Sequence, residues 1–573
     1  MRRWLLLLVA AGLLGLWLPA GASAHAVLTS TTPARDARLD AAPARVEASF
    51  NEAVSSSFGA LRVFDSGGRE VQDGATVHPG SAANRIAVPL RGGIPDGSYT
   101  ATYRVISADG HVVSGGWSFT VGSGRASPAP AVSELVARRQ APSVTEILLG
   151  AARGLQFAAI AVFLGAFFLL LATWPRARAR AGEPGSGEAE GTLLTRIRRL
   201  AAAGAATGLV SAVAGVALSG ARTAGFGPGR ALEGSVLTES LSTRFGLLWA
   251  IAAALWACGL LLTLTAVRPG RASWLSWMPA IAGAPIVLLP AFSGHAAQQS
   301  PVGVMVGANV IHVAAMAVWV GGVAALLMAA LPAAARLSPP GAIRMRAALV
   351  RTFSPAATWA VALVLLTGIV QSYVEVATPG NLFTTAFGRL VLVKTVLLVA
   401  TVALAAYQRR RVFPRLEGIA SGSRPAEAAA SLTRRFLAGE LLLMAGALAA
   451  TAVLSGLAPA TAIPAGPAYR EASLGPLEMQ LNLDPATPGA NQAHVYLTSA
   501  RTGAQFQGAR EVTVEIAIPE RRLGPIRSKA LKAGPGHFIA PVSVPASGDW
   551  KLTVVVRVSA FDEYRSELEI PVG

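Results

Sequence analysis

Two patterns of hydrophobic and polar positions divide the chain. Near residues 147–173, 198–220, 244–267, 274–292, 303–331, 353–376, 388–408 and 436–457, apolar residues run almost without interruption. Each run approaches or exceeds the roughly 20 residues that carry a helix across about 30 Å of hydrocarbon. Eight membrane spans are therefore predicted. The fourth contains Pro279, Pro285 and Pro290. Proline removes a backbone donor and clashes with the preceding turn, so this span should be kinked.

The chain reads differently on either side. Residues 25–123 carry short β-rich runs (Val46–Phe50, Ala60–Phe64, Ile86–Leu90, Ser98–Ile106, Gly116–Val121) between Gly, Pro and Asp turns. That rhythm predicts an antiparallel sandwich or barrel of about 100 residues. Residues 458–573 alternate again, in Glu478–Leu483, His494–Thr498, Val512–Ile518 and Lys551–Val558, and predict a second β sandwich. A Ser-Pro-Ala-Pro stretch lies in a linker, 124–146, between the first β domain and the span region 147–457. Residues 1–24 have Arg2 and Arg3, an apolar run from Trp4 to Leu18, and Ala22-Ser23-Ala24 as an A-x-A signal. They read as a secretory signal peptide whose removal makes His25 the mature N-terminus.

Composition agrees with a multidomain membrane protein. Hydrophobic residues are 53% and charged residues only 14%, against about 25% charged in soluble domains. The net charge of +18 taken alone points to nucleic acid, but its placement explains it otherwise. Arg176, Arg178, Arg180 and Arg196, then Arg268 and Arg271, follow odd-numbered spans, as do Arg336, Arg344, Arg346 and Arg351. The same holds for Arg409, Arg410, Arg411 and Arg415. Loops after even spans carry little beyond Arg222 and Arg230. The positive-inside rule places the odd exits in the cytoplasm and both β domains outside the plasma (inner) membrane. The lipid bilayer, not nucleic acid, is the partner implied. One cysteine, Cys258, excludes disulfides within the chain and CxxC relays, and it reads as a packing residue. No GxxxxGK[ST] loop occurs, so this chain carries no P-loop ATP site.

Candidate chemistry lies in two places. A terminal His25 offers its α-amine and an imidazole nitrogen. Asp109-Gly110-His111 offers a carboxylate and a second imidazole, and residues two apart on an extended segment share a face. This nitrogen and oxygen set suits Cu(II). The second place is the fifth span, where Met305, Asn309, His312, Met316 and Trp319 are spaced 4, 3, 4 and 3. That spacing puts them on one helical face. His295 lies just before the span. Polar residues inside a span default to functional candidates, and imidazole and thioether suit Cu(I). A methionine stripe at this spacing is also an ordinary packing feature. Lys394, with Glu375 as its candidate partner, and Arg153 and Gln156 in the first span, are ambiguous between structural and functional roles.

Several segments resemble known families. His25-Ala26-Val27-Leu28 through Pro33, with Tyr103 to His111 and Gly116-Trp117-Ser118-Phe119-Thr120-Val121, resembles the CopC family of extracytoplasmic copper-binding proteins. The resemblance implies a Greek-key β fold and Cu(II) ligands at His25, Asp109 and His111. It gives no separate Cu(I) site in this domain, which has no methionine between 25 and 123. Ile311-His312 through Trp319-Val320-Gly321-Gly322, and Gly388-Arg389-Leu390 with Lys394, resemble the CopD family of copper-associated membrane proteins. Gly536-His537-Phe538 and Gly548-Asp549-Trp550-Lys551-Leu552 are similar to YtkA-like domains. There Met479, His494 and His537 read as strand and turn residues, with metal binding the lesser alternative.

These resemblances imply a non-enzymatic copper-handling protein. Cu(II) is captured at His25, Asp109 and His111. Copper, as Cu(I) in the membrane, then moves inward along His295, Met305, His312 and Met316. The alternative is an extracytoplasmic protein of copper resistance or oxidase loading, with no transport. A copper chaperone or cuproenzyme is the protein partner such roles imply.

Overall fold

The computed structural model describes residues 26–572, apart from 27, 35–36, 108–111, 123–134, 136–140, 184–186, 269–272, 298, 413, 415–425, 458, 461–467, 485, 487–488, 503, 535 and 547. The signal segment, His25, Asp109 and His111 therefore lie outside the described residues. The chain divides into two compact units, Met1–Thr461 and Ala462–Gly573.

The first unit opens with two small sheets. One has the order β1 (Leu28–Thr32), β3 (Arg45–Phe50), β5 (Arg85–Pro89). The other has the order β2 (Ala37–Leu39), β7 (Val112–Val121), β6 (Gly97–Ile106), β4 (Leu61–Phe64). The predicted strands are present, and β1 and β2 are additions. Alternation decides which side chains form the core: on β7, Trp117, Phe119 and Val121 point inward with Tyr99 of β6 and Phe50 of β3. The long β6–β7 hairpin pairs Gly97 with Val121 at one end and Ile106 with Val112 at the other. Ser107 and Val112 bracket the candidate ligands at that second end.

Among the described residues, eight helices long and apolar enough to cross a membrane follow: Ser143–Ala181, Gly187–Ala224, Arg244–Ala266, Trp274–Ser293, Val302–Ala334, Pro339–Val376, Ala386–Arg411 and Arg434–Leu454. The fourth is broken as its prolines require. It consists of 3₁₀ turns at Ser273–Ser276 and Ala284–Leu288 alternating with the short helices Trp277–Gly283 and Leu289–Ser293. The first and fifth spans pack closely because Gly165 meets the backbone of Gly321 and Gly322, where a Cβ has no room. The fifth span widens to π-helical turns at Ala317–Gly321 and Leu326–Ala330. Cys258 is exposed on the third span instead of packed inside, which corrects the sequence expectation.

The two ends of the bundle differ. At one, Arg344 pairs with Glu183 at 2.5 Å, Arg336 with Glu188 at 3.3 Å, and Arg180 bonds Thr352 Oγ1. Arginines that follow the first and fifth spans thus gather together. The N-terminal sheets sit at the opposite end.

The second unit is a two-sheet β domain. One sheet has the order β13 (Leu531–Gly534), β14 (His537–Val544), β10 (Gly489–Ser499), β9 (Leu477–Asp484), β8 (Ala468–Leu474). The other has the order β12 (Leu523–Lys529), β11 (Glu511–Ile518), β15 (Gly548–Arg557), β16 (Glu563–Val572). Met479, Val514, Val554 and Trp550 lie in its core. Met479 is thus a packing residue, as the sequence favoured.

Candidate metal sites

The capture residues His25, Asp109 and His111 fall outside the described residues, but their neighbours are placed. The Ala26 N–H donates to Ser107 Oγ at 3.3 Å, and Ser107 Oγ donates to Glu52 at 2.5 Å. Ala26 and Ser107 are both buried. Ala26 directly follows His25, and Ser107 lies two residues before Asp109. These bonds therefore hold together the chain ends from which the three candidate ligands extend. Neither Ser107 nor Glu52 was singled out from sequence, because their pairing across 55 residues leaves no local signal.

The same hairpin is fastened to the bundle. Arg104, near the end of β6, is buried and donates from Nε to the Thr223 carbonyl at 2.9 Å and from Nη2 to the Arg222 carbonyl at 2.6 Å. Those carbonyls belong to the last turn of the second span, where helical acceptors have no intrahelical donor and the dipole is negative. A guanidinium satisfies both conditions. Burial, together with repulsion from Arg222, pushes the Arg104 guanidinium down to about 10, so it stays charged at neutral pH. Arg222 itself pairs with Glu146 at 3.0 Å. Phe58 holds a left-handed backbone at φ 58°, and its N–H donates to the Glu239 carboxylate on the short helix Gly234–Leu241. A bulky residue keeps that conformation only where its surroundings fix it.

Beneath this junction lies a cavity of about 880 Å³. Phe58 and Ile106 of the β domain line it, as do Asn309, His312, Lys394 and Glu375 of the spans. Ile106 is three residues before Asp109. His312 Nδ1 bonds Thr367 Oγ1 at 2.9 Å, and Thr367 Oγ1 also donates to the Leu363 carbonyl at 2.6 Å. The threonine proton is thus directed at Leu363, which leaves the imidazole as donor to the hydroxyl. Asn309 Nδ2 donates to Gln371 Oε1 at 3.2 Å, while Asn309 Oδ1 is buried without a hydrogen-bond partner. Lys394 and Glu375 attract one another electrostatically.

Of the predicted membrane path, His312 and Met316 line the cavity together with Asn309 and Trp319. Met305 is fully buried and is not among the described lining residues, so the five-residue face does not act as one surface. Its upper end is packed and only its lower part is open. His295 starts a short 3₁₀ turn, and its neighbours Gly294 and Ala296 line the cavity. Among the described residues, no three His, Cys, Asp or Glu side chains lie close enough to hold a metal ion. Gln371 and Thr367 were missed by the sequence reading. Both sit on the sixth span one turn apart, a spacing that a search for polar positions inside spans would have caught.

Other polar residues are committed elsewhere. Gln156 accepts from Trp256 Nε1 at 2.7 Å and donates to the Gly208 carbonyl at 3.1 Å. It joins the first three spans. Arg153 donates to the Ser455 carbonyl at 3.1 Å.

Three families match parts of this chain. Residues 28–122 match the CopC domain, 144–303 the copper resistance protein D-like N-terminal domain, and 347–454 copper resistance protein D. The copper transport protein CutJ of Bacillus subtilis is 30% identical over 410 residues, which cover 71% of this chain and 70% of that protein. Copper resistance protein C of Escherichia coli is 28% identical over 106 residues, 18% of this chain and 83% of that one. Among solved structures, CopC from Methylosinus trichosporium OB3b is 27% identical, covers 17% of this chain and 93% of its own, and has a TM-score of 0.16.

Proposed function

The chain belongs to the copper resistance and transport family that joins a CopC domain to copper resistance protein D domains, and from that premise we propose that it captures Cu(II) outside the cell and imports copper across the plasma membrane. His25, Asp109 and His111 are the capture ligands. Their amine, imidazole and carboxylate donors suit Cu(II). The tie from Ala26 through Ser107 to Glu52 supports their convergence. His312 and Met316 are the donors of the inner path, with His295 at its mouth.

One observation carries the transport reading. The cavity that holds His312 is bordered by Ile106, three residues before Asp109, and by Phe58 of the same β domain. An ion leaving the capture site meets a mostly apolar space in which a few polar side chains are placed. His312 and the orphaned Asn309 oxygen supply donors there, and Lys394 and Glu375 line the same space. The clustering of arginines at the far end supports an outer β domain and a cytoplasmic exit.

Radiocopper accumulation in cells lacking the protein tests this. Import requires lower cytoplasmic copper in the deletion and recovery on complementation. Unchanged accumulation with altered surface or periplasmic copper would instead establish extracytoplasmic delivery.

A further inference from the structure

The C-terminal unit lies outside the three matched family segments, yet it brings two histidines together. Strands β10 and β14 are neighbours, and Tyr496 pairs with His537 while His494 pairs with Ile539. His494 and His537 are thus diagonal neighbours on one face of the sheet. His494 Nδ1 and His537 Nε2 are 3.1 Å apart. His494 is only 5% exposed although it faces away from the core, and His537 is half-buried. The Tyr496 ring stacks on His537 with centroids 4.2 Å apart and planes 12° apart.

The relative placement of the two rings identifies what they can hold. Their planes differ by 19° and their centroids are 5.4 Å apart. A five-membered ring with C–N bonds of about 1.33 Å has a radius of about 1.1 Å. Removing one radius for each ring from 5.4 Å leaves about the observed 3.1 Å between nitrogens. The rings therefore lie edge to edge, with both nitrogens on the line between their centres. Their lone pairs point along one axis, as in a linear two-coordinate complex. A cis pair on a tetrahedral or square-planar ion would need both lone pairs tilted off that axis.

We propose that His494 and His537 form a two-coordinate Cu(I) site. It rests on the proposed function only for copper being the metal on offer. With metal–imidazole bonds of about 2.0 Å, a linear ion needs the nitrogens about 4.0 Å apart. The pair must open by roughly 0.9 Å, which rotation of the half-buried His537 side chain supplies. In the metal-free pair one ring donates its N–H to the other. On binding, that proton moves to the other nitrogen of its own ring, so both imidazoles stay neutral and no redox step is involved. Asn482 lies directly across β9 from His494, on the same face, and its Oδ1 is buried without a hydrogen-bond partner. An unsatisfied carbonyl oxygen beside the pair favours a cation there. Imidazole ligands also suit Zn(II), but that ion takes four ligands. Among the described residues no third His, Cys, Asp or Glu joins the pair.

The test uses the purified full-length chain carrying His25→Ala and His312→Ala, so that it does not depend on the capture or path residues. Cu(I) is titrated under ascorbate against a chromophoric Cu(I) chelator. One equivalent should be lost on His494→Gln or His537→Gln and kept on Tyr496→Phe. X-ray absorption of the Cu(I)-loaded chain with the pair intact should show two nitrogen neighbours in a linear arrangement, a readout that needs no substitution at the pair. An unchanged Cu(I) equivalent in His537→Gln, or a shell of three or more ligands, would overturn the site. So would equal competition by Zn(II). Loss of uptake activity bears on the proposed function and leaves this result untouched.

Discussion

Gln156 and His312 are both polar residues inside the same bundle, and both border the cavity, but their surroundings differ. The Gln156 amide is used at both ends, accepting from Trp256 and donating to Gly208. The group around His312 is incomplete. Asn309 Oδ1 is orphaned, and Lys394 and Glu375 share the space. A polar residue in a span is expensive in either setting. The first setting is closed by bonds that hold helices together. The second leaves Asn309 Oδ1 without a partner beside the cavity. The contrast separates residues that hold the fold from those proposed to meet an ion.

The same contrast orders the expected effects of substitution. The largest should come from an open site at the chain terminus. His25→Ala, or one residue added before His25, should weaken Cu(II) binding by more than about 100-fold while thermal stability stays unchanged. Isothermal titration with electron paramagnetic resonance checks both halves. Unchanged affinity would remove the capture site as proposed.

Arg104→Gln should act on a closed contact. Hydrogen bonds to a charged group contribute about 1.5–3 kcal/mol each, so the docking equilibrium constant should fall more than about tenfold. Faster hydrogen exchange at the end of the second span, with Cu(II) capture intact, is the expected signature. Gln156→Leu should cost less, about 0.6–1.7 kcal/mol, as hydrogen bonds between helices in membranes do. Lower melting temperature in detergent with retained transport per molecule would place it among the holding residues; lost transport at normal stability would break the contrast.

The smallest effect concerns pH. The Arg104 guanidinium is depressed to about 10 when docked, from about 12.5 free. A base with a lowered bound value favours docking only as pH rises through that window. Below about pH 9 both states keep the proton, so Arg104 adds no pH dependence to docking between pH 6 and 8. Double electron–electron resonance distances between the hairpin and the second span should be flat across that range.

Much of this architecture was legible in the sequence. Eight apolar runs and three prolines in the fourth dictated eight spans and one broken helix, because hydrocarbon leaves the backbone no alternative. The β-rich runs located the strand that carries Trp117 and Phe119. What the sequence did not reveal depends on non-local register. Arg104 in a strand reads as a solvated charge until the second span's carbonyls are beside it. Met305 and His312 share a helical spacing, but neighbouring helices cover one and leave the other open. His494 and His537 are 43 residues apart and meet only because β10 pairs with β14, bypassing three intervening strands.

The most direct measurement is radiocopper accumulation in cells carrying the unsubstituted chain, Gln156→Leu or His312→Ala at matched membrane abundance. Copper should enter with the first two and fall to the level of cells lacking the protein with the third, while His312→Ala still captures Cu(II) outside. Normal accumulation with His312→Ala would contradict passage through this cavity.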